Sequence, residues 1–304
     1  MDGTLYQSFI AMDGWQGLTI ATKFTIYASC FIAGGGMFFR ALFFPGLPLR
    51  DQQMLGRTIV GAAVIGMLSS IFHLTVINST LGGGWADAVD INITKVVLAT
   101  GDGPSIGLRL AGLFLIALSG RAKGRIWSLT ALSGALLAVM SLGVAGHAAE
   151  LATDTGIRPL LLIGIHLLAI AFWLGALWPL HRLTYAKDIT QIAKVMHRFG
   201  NIAVIVVGAL VVAGSLLLFL LLGRVEALWK VAYGQMMLIK LVSVAVLLLF
   251  AAGNKLYLTP RLIADDVTAI PVLRRVIRME IVLVSVILLL TATLTTLVGP
   301  PILQ

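Results

Sequence analysis

Three histidines and one methionine are the side chains of this sequence best suited to holding a soft metal ion. His73, His147, His166 and Met140 stand in otherwise apolar runs, where a polar group is expensive enough in lipid to need a reason. At 1.5 Å per residue, His73, His166 and Met140 each fall about seven residues, ~10 Å, inside the same membrane surface. His147 lies two helical turns beyond Met140 on the same face, in Gly146-His147-Ala148 at the mouth of that layer. Imidazole nitrogen and thioether sulfur together suit copper: thioethers favour Cu(I), and imidazole accepts Cu(I) or Cu(II). Cys30 and Met67 could relay such an ion inward, and Met1, Met12, Met236 and Met237 would give the outer rim four thioethers. Each of these residues also has a structural reading, a membrane histidine as an interhelical hydrogen-bonding group and a methionine as packing filler. His181 and His197 fall at the inner surface and read as solvated topology residues. Lys23, Arg109 and Lys240 read as structural groups, snorkelling to the outer interface or positioning acidic groups such as Asp13, Asp87 or Asp90, because a fixed cation beside a metal path repels Cu⁺.

The elements that must position these residues are membrane helices. Of 304 residues, 59% are hydrophobic and 12% charged, and the mean hydropathy is +1.00. A soluble globule carries roughly 25% charged residues, so the composition describes an integral membrane protein. Runs of about 20 apolar residues, the length that crosses ~30 Å of hydrocarbon, occur near 17–39, 58–80, 104–120, 126–147, 159–180, 199–222, 235–257 and 281–299. The expected fold is an all-α bundle of about eight transmembrane helices forming one polytopic domain over residues 1–304. Connections after the odd-numbered spans carry 15 Lys and Arg against 4 on the other side, which predicts both termini on the outer, periplasmic face. The first sixteen residues lack the basic n-region of a signal peptide. Residues 188–199 present Ile189, Ile192, Val195, Met196 and Phe199 opposite Lys187, Lys194 and Arg198, which predicts a short amphipathic helix along the inner surface. The connection 81–103 is expected to be partly interfacial.

Several classes of function are unsupported. There is no GxxxxGK[ST], no GxGxxG after a strand and no HExxH, so neither ATP hydrolysis nor zinc proteolysis is indicated. The net charge of +9 is dispersed between apolar runs and makes no continuous stripe for nucleic acid. A single cysteine excludes an intramolecular disulfide and a thiolate zinc cage.

The C-terminal half carries Arg198-Phe199-Gly200, Tyr233-Gly234 with Lys240, Asn254, Pro260-Arg261-Leu262, Leu273-Arg274-Arg275 and Glu280. This order resembles the copper resistance protein D (CopD/PcoD) family. Gly146-His147-Ala148 and the run from His166 through Trp173, Gly175 and Leu180 are similar to its central helices, extending the resemblance over roughly 100–299. Gly200 departs from it, standing where Ser is expected. The resemblance implies a non-enzymatic, multi-pass protein of the bacterial inner membrane, in copper homeostasis and resistance, working beside a periplasmic copper-binding protein of the CopC type. The leading expectation is copper uptake from the periplasm through His73, His147, His166 and Met140. Two alternatives stand beside it: a haem b electron-transfer protein with axial ligands drawn from His73, His166 and His147, and a copper-binding partner that does not transport.

Overall fold

A computed structural model describes residues 10–43, 47, 49–121, 124–145, 157–222 and 226–298. The described residues are helical with short connections and include no strand. Eight helices are long and apolar enough to cross a bilayer: α1 (Gly14–Phe43), α2 (Leu49–Gly82), α3 (Asp102–Ser119), α4 (Arg125–Val144), α5 (Arg158–Leu183), α6 (Ile189–Leu222), α7 (Ala232–Gly253) and α8 (Ala269–Leu297). The third expected span is present although Arg109 interrupts its apolar run.

α1 is the hub of the bundle, packing on α2, α4, α5 and α8. Small residues make this possible, because lipid supplies little drive for helices to associate and close backbone approach must do so instead. Gly35 of α1 and Gly175 of α5 meet with no room for a Cβ on either. α3 and α4 cross in the same way, a Cβ on Gly134 falling 2.6 Å from the Gly112 carbonyl oxygen. One continuous core runs from Ile26 of α1 to Leu288 of α8. α6 and α7 stand at the periphery and leave most of their outer surfaces to lipid.

Two boundaries differ from the sequence expectation. Residues 189–199 form no separate surface helix but are the first turns of α6, with Ile192, Val195, Met196 and Phe199 buried. The apolar face that suggested an interface instead packs on the core, where Phe199 stacks on Phe172 at 5.4 Å. α8 likewise starts twelve residues earlier than its apolar run, Leu273, Ile277 and Glu280 facing the core.

Each end of the bundle has its own chemistry. At the basic end Arg274 donates to the Thr184 carbonyl at 2.7 Å and lies 3.7 Å from the Tyr185 ring centre, while Arg182 approaches Asp51 at 3.8 Å. At the opposite end Lys23 of α1 donates to the Thr295 carbonyl of α8 at 2.9 Å, so the first and last spans begin and finish on one face. That end also carries the 81–103 connection, folded as a turn at Trp85–Asp87 and a helix over Ile91–Ala99 capped by Asp90. Trp85 packs on Trp15 at 4.8 Å.

α7 does not finish at Gly253. It widens into a π-turn over Asn254–Leu258 and continues through Thr259–Ile263. Pro260 explains the widening: it has no N–H and its ring crowds the carbonyl four residues back, and a wider turn just before it relieves the clash.

Candidate functional site

His73 sits on the α2 face toward α1 and is buried. Thr22 Oγ1 lies 2.8 Å from its Nδ1 and 3.0 Å from both the Leu18 and Thr19 carbonyls. The hydroxyl has one proton. Donated to either carbonyl, it leaves Oγ1 to accept from Nδ1–H, and Nε2 then keeps the lone pair a metal requires. The charged groups whose fields reach this imidazole are Lys23 and Arg109.

His166 occupies different surroundings. Its ring lies over Gly214 of α6, where a Cβ would meet Cε1 at 3.1 Å and Nδ1 at 3.2 Å, and beside the Leu210 carbonyl. Nδ1 is buried with no hydrogen-bond partner, a rare condition for a polar atom. Lys240 of α7 is the charged group that acts on it. Met140 of α4 reaches α5 at Gly164, its Cε and Sδ lying 2.7 and 3.4 Å from where a Cβ would stand. Gly164 is two residues from His166, about 200° around the helix, so the thioether and the imidazole lie on different sides of α5.

The contacts described for His73 lie on α1 and those for His166 on α6. Among the described residues, no three His, Cys, Asp or Glu side chains are grouped to hold a metal ion. His147 and Met1 lie outside the described residues. Cys30 is fully buried in the core and Met67 packs against it. Met12 is exposed, but Met236 and Met237 are buried with Leu222, Tyr233 and Leu294, so these two thioethers pack between α6, α7 and α8 and do not line an open rim.

Among the intramembrane cations Arg109 departs from the snorkelling expectation. Arg109 does not snorkel: it is buried, its Nη2 donates to Ser105 Oγ at 2.8 Å, and its Nε has no partner. Ser105 in turn donates to the Ser141 carbonyl of α4 at 2.8 Å. Lys23 is tied to Thr295, beside the Tyr27 hydroxyl. Thr22 thus pairs with His73, while Ser105 and Thr295 hold Arg109 and Lys23, the cations that act on it; sequence reasoning missed this polar niche, and the pairing of Ser105 with Arg109 at i+4 was its one readable sign.

At the basic end His197 pairs with Asn201 at 3.1 Å, and Asn201 accepts from Lys255 of α7. The Lys255 stem fills the space a side chain at Gly200 would need, the nearest carbon lying 2.8 Å from the Cβ position. His181 packs edge-on against Tyr185 at 5.6 Å.

Comparison with known proteins gives two family matches. The copper resistance protein D model matches residues 193–294, and the copper resistance protein D-like N-terminal domain matches residues 12–157, so the likeness reaches further toward the N-terminus than the sequence motifs indicated. The chain is 28% identical over 293 residues to the inner membrane protein YebZ of Escherichia coli (strain K12), across 91% of this chain and 97% of that protein. It is 27% identical over 238 residues to the copper transport protein CutJ of Bacillus subtilis (strain 168), across 73% of this chain and 43% of that protein. No solved structure matches it.

Proposed function

The chain belongs to the copper resistance protein D family, and from that premise we propose that it carries copper across the bacterial inner membrane, taking the ion from the periplasm. Likeness to an inner membrane protein over nearly the whole of both chains supports the location, and likeness to a copper transport protein supports the cargo. The family is one of membrane transport and resistance proteins, and the reading assigns no enzymatic step. The basic end faces the cytoplasm on this reading, which puts His73 and His166 in the outer half.

The observation that carries the site is the burial of His166 in a spanning helix, its ring against Gly214 and beside the Leu210 carbonyl of α6. With a ring N–H turned to that carbonyl, the other nitrogen keeps the lone pair a metal requires. Because His73 has separate surroundings, the two imidazoles serve as successive stations and not as one cage. This suits transport, where each site must bind strongly enough to accept the ion and weakly enough to release it. Two cations, Lys23 and Arg109, repel an ion at His73, against Lys240 alone at His166, which makes His73 the release station of the pair. Met140 offers a thioether on the opposite side of α5 from His166, and His147 with Met12 would receive copper from a periplasmic copper-binding protein. Cys30 and Met67 continue the soft-ligand path inward.

Copper titration of the detergent-solubilised protein tests this arrangement. His73→Ala and His166→Ala should each remove a different equivalent, and the double variant both. Loss of the same single equivalent in all three variants would mean a shared site and would sink the two-station reading.

A further inference from the structure

Among the described residues Glu280 is the one acidic side chain beyond the first turn of a spanning helix. It is 3% exposed, in the row Leu273, Ile277, Glu280, Val284, Leu288 that faces the core, ~16 Å along α8 from the basic end. A carboxylate there needs a cation or several donors. It has one side-chain partner, Asn254 Nδ2, at 2.8 Å from Oε1.

The ionisable groups on the elements around it are directed elsewhere. On α7, Lys255 donates to Asn201 of α6 and Lys240 acts on His166. On α5, His181 lies among Arg182, Arg274 and Arg278. On α1, Lys23, Tyr27 and Cys30 lie toward Thr295, Asp102 and Arg109, and Arg40 donates to the Gly120 carbonyl of α3. On α8 itself Arg274 is held by Thr184, and Arg275 and Arg278 border a groove against α7 lined by Val246 and Phe250. None of these acts on the Glu280 carboxyl.

The amide supplies the second half of the argument. Asn254 Oδ1 is buried with no hydrogen-bond partner, an acceptor waiting for a donor beside a carboxyl group. One species satisfies both residues: a carboxylic acid whose Oε2–H donates to Asn254 Oδ1 while Asn254 Nδ2–H donates to Oε1. The aim of the amide is set by the π-turn, which Asn254 opens and whose carbonyl is taken by the N–H and hydroxyl of Thr259, the hydroxyl at 2.8 Å. Such turns recur at functional sites.

We propose that Glu280 is a proton-binding site, held as the carboxylic acid in an acid–amide pair with Asn254, and that its proton is exchanged with water during each copper transport cycle. The exchange rests on the transport reading above, whereas the acid–amide pair does not. When the proton leaves, the Oε2–H···Oδ1 bond is lost and the carboxylate keeps only the Nδ2 donor; opening of the π-turn to admit water is the step that stabilises it.

Infrared spectroscopy of the reconstituted full chain at pH 7 tests the pair. A carboxylic-acid C=O band that shifts on deuteration should be present in the wild type, absent in Glu280→Gln and displaced in Asn254→Leu. Glu280→Gln preserves an amide pair with Asn254, so wild-type thermal stability is the control for folding. Absence of a band assignable to Glu280 overturns the proposal whether or not the protein carries copper. Vesicle uptake then tests the exchange: with one coupled proton, a gradient of one pH unit shifts steady-state copper accumulation by up to about tenfold. Glu280→Gln should accumulate copper without responding to the gradient. The same shift in Glu280→Gln as in wild type overturns the exchange; a wild type that shows the band but takes up no copper refutes the transport reading alone.

Discussion

Replacing Gly134 by alanine should open the α3–α4 seam and disturb the His73 niche from a distance. The added Cβ would lie 2.6 Å from the Gly112 carbonyl oxygen, 2.8 Å from Leu115 Cβ and 3.2 Å from Ile116 N. Two of these atoms are backbone, so no rotamer change relieves the clash, and reaching an ordinary contact requires the helices to separate by ~0.5–1 Å. A gap of that size forfeits a quarter to a half of the dispersion attraction across the seam, and overpacking of this kind typically costs about 1–3 kcal/mol. The Ser105–Ser141 hydrogen bond spans the same seam two turns away, and its loss frees the hydroxyl that holds Arg109. Gly61→Ala is the control, because a Cβ there meets nothing within 4 Å. The helix-propensity gain of about 0.5–1 kcal/mol applies to both variants, so the difference between them isolates the seam. Equilibrium unfolding in mixed micelles, followed by tryptophan fluorescence, should place Gly134→Ala about 1–3 kcal/mol below Gly61→Ala. Equal stability of the two variants would refute the close approach of α3 and α4.

Thr22→Val should lower copper occupancy at His73 and cost about 0.5–1.5 kcal/mol of stability through the lost hydrogen bond, whereas Thr22→Ser should restore both; copper titration and thermal unfolding measure the two effects. Gly214→Val should displace the His166 ring from α6 and remove its copper equivalent, leaving that of His73 in place. Between α7 and α8, hydrogen bonds from Thr268 and the Arg261 guanidinium hold the Asp266 carboxyl below the usual carboxylate range. Stability from such a group is present above its unfolded-state pKa and lost as pH falls through the depressed value, so tryptic cleavage after Arg261 should be equally slow at pH 7 and pH 5 and faster in Asp266→Ala. Reporter fusions at Gly3 and Gln304 should both report the periplasm; a cytoplasmic C-terminus would reverse the assignment of the basic end.

The spans were legible because lipid makes one demand, a long apolar run, that leaves little room for other readings. Their ends were less so. An apolar stripe such as Ile192, Val195, Met196 and Phe199 has the same period whether it meets a membrane surface or a neighbouring helix, and only the packing of Phe199 on Phe172 decides. Arg109 read as snorkelling because its distance from water was visible in the sequence and the Ser105–Ser141 niche was not. His73 and His166 were legible as polar groups at matching depth, but depth says nothing about rotation around the helix, and rotation sends one toward α1 and the other toward α6. The same limit hid the burial of Met236 and Met237. Asn254 and Glu280 are 26 residues apart, and their meeting depends on a π-turn that hydropathy cannot register.

Copper accumulation in proteoliposomes of one orientation tests the central claim most directly. Wild-type protein should admit copper added at the periplasmic face, His166→Ala should reduce the initial rate at least tenfold at equal protein level and thermal stability, and His181→Ala and His197→Ala should match wild type. Wild-type uptake no faster than in empty vesicles, or His166→Ala transport equal to wild type, would contradict the account.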